Sequence, residues 1–381
     1  MYCIYCGWEK EVGSREHVFP GVLGGVIGTA NPFLLPICRR CNNSCGRYID
    51  GPFAHSFFVN SLRAANAGRY ANVERGEIIP LIYQGVLNNL SVTTEYICEF
   101  LLGPTGDGIY HFHRPYCELP FGSGYLDART HMRAEEYDNG FVMVIMRANN
   151  PLWHQTIYNS IRNRFQVGTP IFYLNVQSPQ LSGHDDVPTD LIVYRDAIYA
   201  LAGQQHNITQ TIYPDYGVRF MAKLALGFGG LFLDPCYARS SEANVVRQIL
   251  WSRNPAARYQ SELHGTNFLE ASQEPIVSRC GWDAGHVFIF QPINDYLALQ
   301  VILYGSQTAN IQITSNRAHW ERSIGGDAMV YVLCPSIHRV VGPVSLAQFI
   351  AVRNGFSRTG SELADVFNEM VNAPSQPPFD I

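Results

Sequence analysis

Four cysteines near the start of the chain, in two Cys-x2-Cys pairs, constrain its fold more than any other feature. Cys3 and Cys6 form one pair, Cys38 and Cys41 the other. Two pairs at this spacing supply the four thiolates of one tetrahedral zinc site, which by itself specifies a small folded module. Five of the ten cysteines fall in the first 45 residues, which favours metal binding over scattered disulfides. The start, Met1-Tyr2-Cys3, has no basic segment followed by an apolar core, so no secretory signal is expected. The thiols are therefore expected to be reduced, in a cytoplasm.

The expected zinc clamp brackets Glu16-His17 and Asn31, with Asn42 directly after the last cysteine. These side chains suit phosphodiester hydrolysis. A neutral histidine can take a proton from water, and a carboxylate with an amide oxygen can hold Mg²⁺ or Mn²⁺. A divalent ion at that point holds the scissile phosphate and stabilises the leaving oxygen. His17-Val18-Phe19 reads as a short strand, on which adjacent Glu16 and His17 project to opposite faces.

The pattern resembles the HNH (ββα-metal) endonuclease superfamily in its zinc-stapled branch. The matching runs are CIYC, EHVFPGVLGG, Asn31 and CRRCN. The resemblance implies that His17 activates water, that Glu16 and Asn42 bind the catalytic metal, and that Asn31 braces the loop orienting His17. It assigns Cys3, Cys6, Cys38 and Cys41 to structural zinc. Glu16 stands where Asp is commoner in the family, and Asn42 follows the Asn-ending subgroup. CNNSCGRYIDGPF and RFMAKLALGF also resemble segments of bacterial HNH proteins with a larger C-terminal region. The implied activity is metal-dependent cleavage of DNA, with RNA left open. The alternative is a zinc-dependent module that binds nucleic acid or protein without cutting.

Other residues divide more evenly between roles. Arg39 and Arg40, between the closing cysteines, are expected either to grip phosphate or to be solvated. Cys45, one helical turn after Cys41, reads as a packed thiol rather than an alternative zinc ligand. Asp50 reads as a cap or an ion-pair partner of an arginine. His111 and His113 share one face of an expected strand; a second metal site is one reading, half-buried strand histidines the commoner one. His184-Asp185-Asp186 reads as a polar loop. Cys98, Cys117, Cys236, Cys280 and Cys334 lack metal spacing and read as buried thiols. Gly227–Gly230 lacks the Lys-Ser/Thr of a phosphate loop.

The chain of 381 residues is long enough for two or three cores. The expected fold class is α+β: a ββα-metal, zinc-stapled module over residues 1–75, then a larger α+β domain with an antiparallel sheet over residues 76–381. Helices are expected at 41–50, 53–67, 151–165, 216–232, 241–251, 345–353 and 360–371. Strand-like runs include 78–83, 94–102, 109–112, 141–146, 171–176, 287–293, 296–304, 311–314 and 329–333. Residues 103–108 read as a hairpin turn. No run is long and apolar enough to predict a membrane span. The net charge is −5, yet residues 1–75 carry eight basic and five acidic groups against 19 and 27 beyond them. The first segment alone is basic, so DNA binding by it alone is expected to be weak. The larger domain is expected to receive an activating ligand or partner protein, or to assemble a homo-oligomer. A nuclease controlled in this way would fit defence against phage or other foreign DNA.

Overall fold

A computed structural model describes residues 1–11, 13–24, 33–70, 73–88, 90, 96–114, 140–147, 151–165, 168–174, 187–201, 204–205, 207–210, 215–252, 265–268, 274–337, 339–357 and 360–372. The chain forms two compact units, one of Met1–Ser56 with Tyr213–Ala373, the other of Phe57–Ile212 with Pro374–Ile381. The segment expected as one module thus contributes residues 1–56 to the first unit and 57–75 to the second.

The first unit opens with a hairpin of β1 (Tyr2–Cys3) and β2 (Trp8–Glu9). Next come β3 (Ser14–His17) and β4 (Leu34–Ile37), an antiparallel pair with Glu16 opposite Leu35. Helices α1 (Arg39–Cys45) and α2 (Gly51–Ala54) follow, joined by a wider π turn over Gly46–Asp50.

The second unit is a sheet between helical layers. It begins with α3 (Phe57–Tyr70) and continues through β5 (Ile82–Leu87), β6 (Ile97–Leu102), β7 (Gly108–His113) and β8 (Phe141–Ile145). Then come α4 (Pro151–Arg164), β9 (Ile171–Leu174), α5 (Ile192–Leu201) and β10 (Ile208–Thr209). The strand order is β10-β5-β6-β7-β8-β9. All pairs are antiparallel except β8 with β9, which α4 connects as a crossover helix. Val142 and Val144 enter one core with Trp153, Ile157 and Ile161 of α4, while Phe141 and Met143 enter the other with Tyr194 and Ile198 of α5. Burial on both faces explains why β8 reads as a continuous apolar run.

The chain returns to the first unit with α6 (Asp215–Phe232) and α7 (Ser241–Trp251), then β11 (Gly265–Thr266) and α8 (Glu274–Cys280). The meander β12 (His286–Ile293), β13 (Tyr296–Leu303) and β14 (Gln307–Thr314) follows, then α9 (Glu321–Ile324), β15 (Met329–Cys334) and β16 (Arg339–Ser345). Helices α10 (Leu346–Arg353) and α11 (Glu362–Asn372) end the described chain. The sheet order is β11-β14-β13-β12-β15-β16, wholly antiparallel. The chain is α+β, as expected. The strand expected at 78–83 begins later, at Ile82; α5 and α8 were not anticipated, because each is short and flanked by polar segments.

Helix α6 is the hub of this unit. Eleven consecutive or near-consecutive positions, Gly217 and Phe220 through Gly229, are buried, so its sequence is apolar all round rather than striped. Its glycines allow close approach rather than phosphate binding. A Cβ added at Gly227 would come 2.8 Å from the Tyr5 hydroxyl, and one at Gly230 would come 2.9 Å from Ile4. At Gly229 an added Cβ would collide with the Tyr237 ring. Phe19 stacks edge-on against Phe228 of α6 and Phe288 of β12, at 5.0 and 5.1 Å between ring centres. The first 56 residues therefore share a core with the later half of the chain. Among the described residues, no helix is long and apolar enough to cross a membrane.

Candidate active site

The four cysteines converge. The ligand atoms of Cys3, Cys6, Cys38 and Cys41 all lie within 4.8 Å of one another, an arrangement compatible with structural zinc. Each pair is presented by a tight turn. Cys3 and Cys6 lie on the β1–β2 turn, closed by the Gly7 N–H donating to the Cys3 carbonyl at 2.8 Å. Gly7 takes φ +73°, a left-handed conformation that glycine adopts without strain. Cys38 precedes α1, Cys41 lies in its first turn, and the Asn42 N–H donates to the Cys38 carbonyl. The hydrogen bond between the Cys3 and Cys41 thiols holds the Cys3 pKa below the ordinary thiol value and pushes that of Cys41 up. Metal binding by thiolates releases their protons, so loading of this cluster depends on pH.

Residues of α7 and of the turn before it brace this knuckle. Arg247 Nε donates to the Ile4 carbonyl at 2.7 Å, and Trp251 Nε1 to the Tyr5 carbonyl at 2.7 Å. Arg239 pairs with Glu9, and its guanidinium lies 4.2 Å from the centre of the Tyr2 ring.

The strand β3 separates the paired residues between the cysteines. Ser14 and Glu16 share one face, and Glu16 is buried at 5% exposure. His17 projects from the opposite face and is half-buried. Asn42 Nδ2 donates to Ser14 Oγ, which leaves its carbonyl oxygen as the remaining side-chain acceptor. This bond sets Asn42 beside the strand face that carries Glu16. Arg39 and Arg40 are both exposed. Asn31, Cys117 and His184-Asp185-Asp186 lie outside the described residues.

A lysine absent from the expected site sits against Glu16. Lys223 of α6 is 2% exposed and places Nζ 2.6 Å from Glu16 Oε1 and 2.6 Å from Asp50 Oδ2. Asp50 therefore pairs with a lysine, not an arginine. Burial pushes both carboxyls above their ordinary values, and the Lys223 charge works against that shift. Burial also opposes the Lys223 charge, but Asp50 and Glu16 outweigh it and hold the ammonium above the ordinary lysine value. Cys45 is fully buried and, as expected, is not among the clustered thiols; burial pushes it up. One signal for Lys223 was present in the sequence: it is one of two lysines and stands amid the apolar run FMAKLAL. A charge there calls for a buried partner.

Two other expectations are corrected. Cys236 is exposed, because it lies in the turn Pro235–Arg239 that Asp234 caps at the surface. His111 and His113 are buried rather than half-buried, because α4 and Phe165 pack on their face of the sheet.

The region holding the cysteines and the Glu16-His17 pair also decides the comparison with known proteins. Residues 3–58 match the HNH endonuclease family. No curated protein and no solved structure matches the chain. An HNH module implies nucleic-acid binding and phosphodiester hydrolysis at the level of the family. The hard oxygens of Glu16 and Asn42 suit Mg²⁺ or Mn²⁺, and Glu16 already faces a cation, the Lys223 ammonium.

Proposed function

We propose that the protein is a metal-dependent endonuclease that hydrolyses phosphodiester bonds of DNA through its HNH module. The match of residues 3–58 to the HNH endonucleases carries this reading. In it, Glu16 and Asn42 hold a catalytic Mg²⁺ or Mn²⁺, which when bound neutralises the scissile phosphate and the leaving oxygen. His17, half-buried and on the opposite strand face from Glu16, accepts the proton of the attacking water. Asn31 orients His17. Ser14 fixes the Asn42 amide by accepting from its Nδ2, so that the amide oxygen is presented. The exposed Arg39 and Arg40, between two zinc-binding cysteines, grip phosphates flanking the cut. Structural zinc at Cys3, Cys6, Cys38 and Cys41 holds the start of α1 against β3 and β4. The remainder of the chain, with the net negative charge, governs when or where the module acts; a role in defence against foreign DNA fits that arrangement.

The test is nicking of supercoiled plasmid by the full-length protein in Mg²⁺ or Mn²⁺, beside EDTA and His17→Ala. Metal-dependent nicking should fall at least about a hundredfold in the variant, the usual scale for loss of a general base. Equal nicking by wild type and His17→Ala would remove the catalytic reading. Salt-dependent DNA binding without cutting would point to a binding module instead.

A further inference from the structure

The second unit holds another cluster of metal-ligating side chains, far in sequence from the cysteines. In the antiparallel pairing of β6 and β7, Glu99 stands directly opposite His111, and His113 follows two residues on. Strand alternation puts all three on the face where Leu101 and Ile109 join the core with α4. All three side chains are buried. One carboxylate oxygen is bracketed by two ring nitrogens: Glu99 Oε2 lies 3.3 Å from His111 Nδ1 and 3.6 Å from His113 Nε2. One ligand atom from each residue falls within 4.8 Å of the others.

These separations match ligands around a common ion. Two donors each about 2.0–2.1 Å from one zinc, at angles of about 109–120°, lie about 3.3–3.6 Å apart. The ring orientations point the same way. His113 Nδ1 is 3.2 Å from the Arg114 carbonyl oxygen, a contact that fixes the ring orientation. Its Nε2 is the ring nitrogen that faces the Glu99 carboxylate. The two rings stack with centres 4.7 Å apart, so both present a nitrogen to the same side of Glu99 Oε2. One divalent ion satisfies all three groups. A backbone carbonyl orienting the ring of a ligand histidine is also usual at metal centres.

We propose that Glu99, His111 and His113 bind a divalent transition-metal ion, zinc being the one this donor set suits best. Two imidazoles favour zinc over Mg²⁺ or Ca²⁺, and a His₂Glu set is a complete three-ligand protein contribution to a zinc site. The ion would clamp β6 to β7 at the Ile97–His113 end of their pairing.

The experiment is elemental analysis of zinc in the purified full-length protein after gel filtration, compared with a His111→Gln/His113→Gln variant. The wild type should retain one zinc equivalent more than the variant. In the cobalt-loaded proteins, intense sulfur-to-cobalt absorption from the cysteine site should be equal, and weaker nitrogen–oxygen bands should be lost in the variant. Equal zinc content in two folded proteins overturns the proposal, as does a wild type that takes up no zinc beyond the cysteine site when titrated. If the double variant fails to fold, Glu99→Gln, which keeps shape and removes charge, decides by the same count. Neither readout depends on nuclease activity, so this site and the HNH reading stand or fall separately.

Discussion

Lys223 shows how one residue ties distant parts of the chain. Its ammonium sits between Glu16 and Asp50 with 2% exposure, far from water that could replace either partner. Removing one member of a buried ion-pair cluster leaves uncompensated charge and costs about 3–5 kcal/mol. Lys223→Met should therefore be destabilised by that amount in urea unfolding monitored by far-UV circular dichroism. Adding Glu16→Gln and Asp50→Asn should restore most of the loss, because the whole cluster is then neutral. A Lys223→Met protein as stable as wild type would show that the three charges are not coupled. In the nuclease reading the triple variant remains inactive although stable, since Glu16 is lost as a metal ligand.

At the scale of elements, the start of α7 is joined to the end of β14 through Glu242. Its carboxylate accepts from the Ser315 N–H and hydroxyl, each at 2.6 Å, and from the Thr314 hydroxyl. Ser240 caps the same helix by accepting from the Ala243 N–H. Burial alone would raise the Glu242 pKa, but the bonds from Ser315 and Thr314 outweigh it and hold the pKa below the ordinary 4.5. A carboxyl whose folded pKa is depressed contributes stability above its unfolded pKa and loses it as pH falls through the folded one. Glu242→Gln should thus lower stability by about 1 kcal/mol at pH 7. The difference in melting temperature between the two proteins should shrink as pH falls below about 4.5, where the unfolded carboxyl begins to protonate. A gap that stays constant from pH 7 to pH 3 would mean that the charge of Glu242 plays no part.

Over the whole molecule, the HNH module is not self-contained. Phe19 is buried against Phe228 and Phe288, α7 supplies the donors for the Ile4 and Tyr5 carbonyls, and α6 supplies the counter-charge of Glu16. A fragment of residues 1–75 loses all of these partners. With zinc present it should give a poorly dispersed amide NMR spectrum and nick plasmid far more slowly than the full chain. A well-dispersed spectrum with undiminished nicking would show that the later segments are dispensable for the module.

Local rules made much of this protein legible. Cys-x2-Cys spacing marks a zinc site because the ligands lie within a turn of each other, so Cys3, Cys6, Cys38 and Cys41 could be grouped from the chain alone. Alternation placed Glu16 and His17 on opposite strand faces, although the strand spans Ser14–His17 rather than the expected His17–Phe19, and apolar periodicity located α6, α7, α10 and the strands β12 to β15. Tertiary structure decided what depends on residues distant in sequence. The partner of Glu16 is 207 positions away, and nothing in the pattern around either residue specifies the other. His111 and His113 announced a shared face, but their burial and the third ligand, Glu99, follow from strand pairing and from α4 packing above them. The division of the chain into units was likewise hidden, because residues 1–56 complete a core with elements that begin after residue 212. Spacing and periodicity report on neighbours within a few residues; charge pairing and core membership are settled only when the chain has folded back on itself.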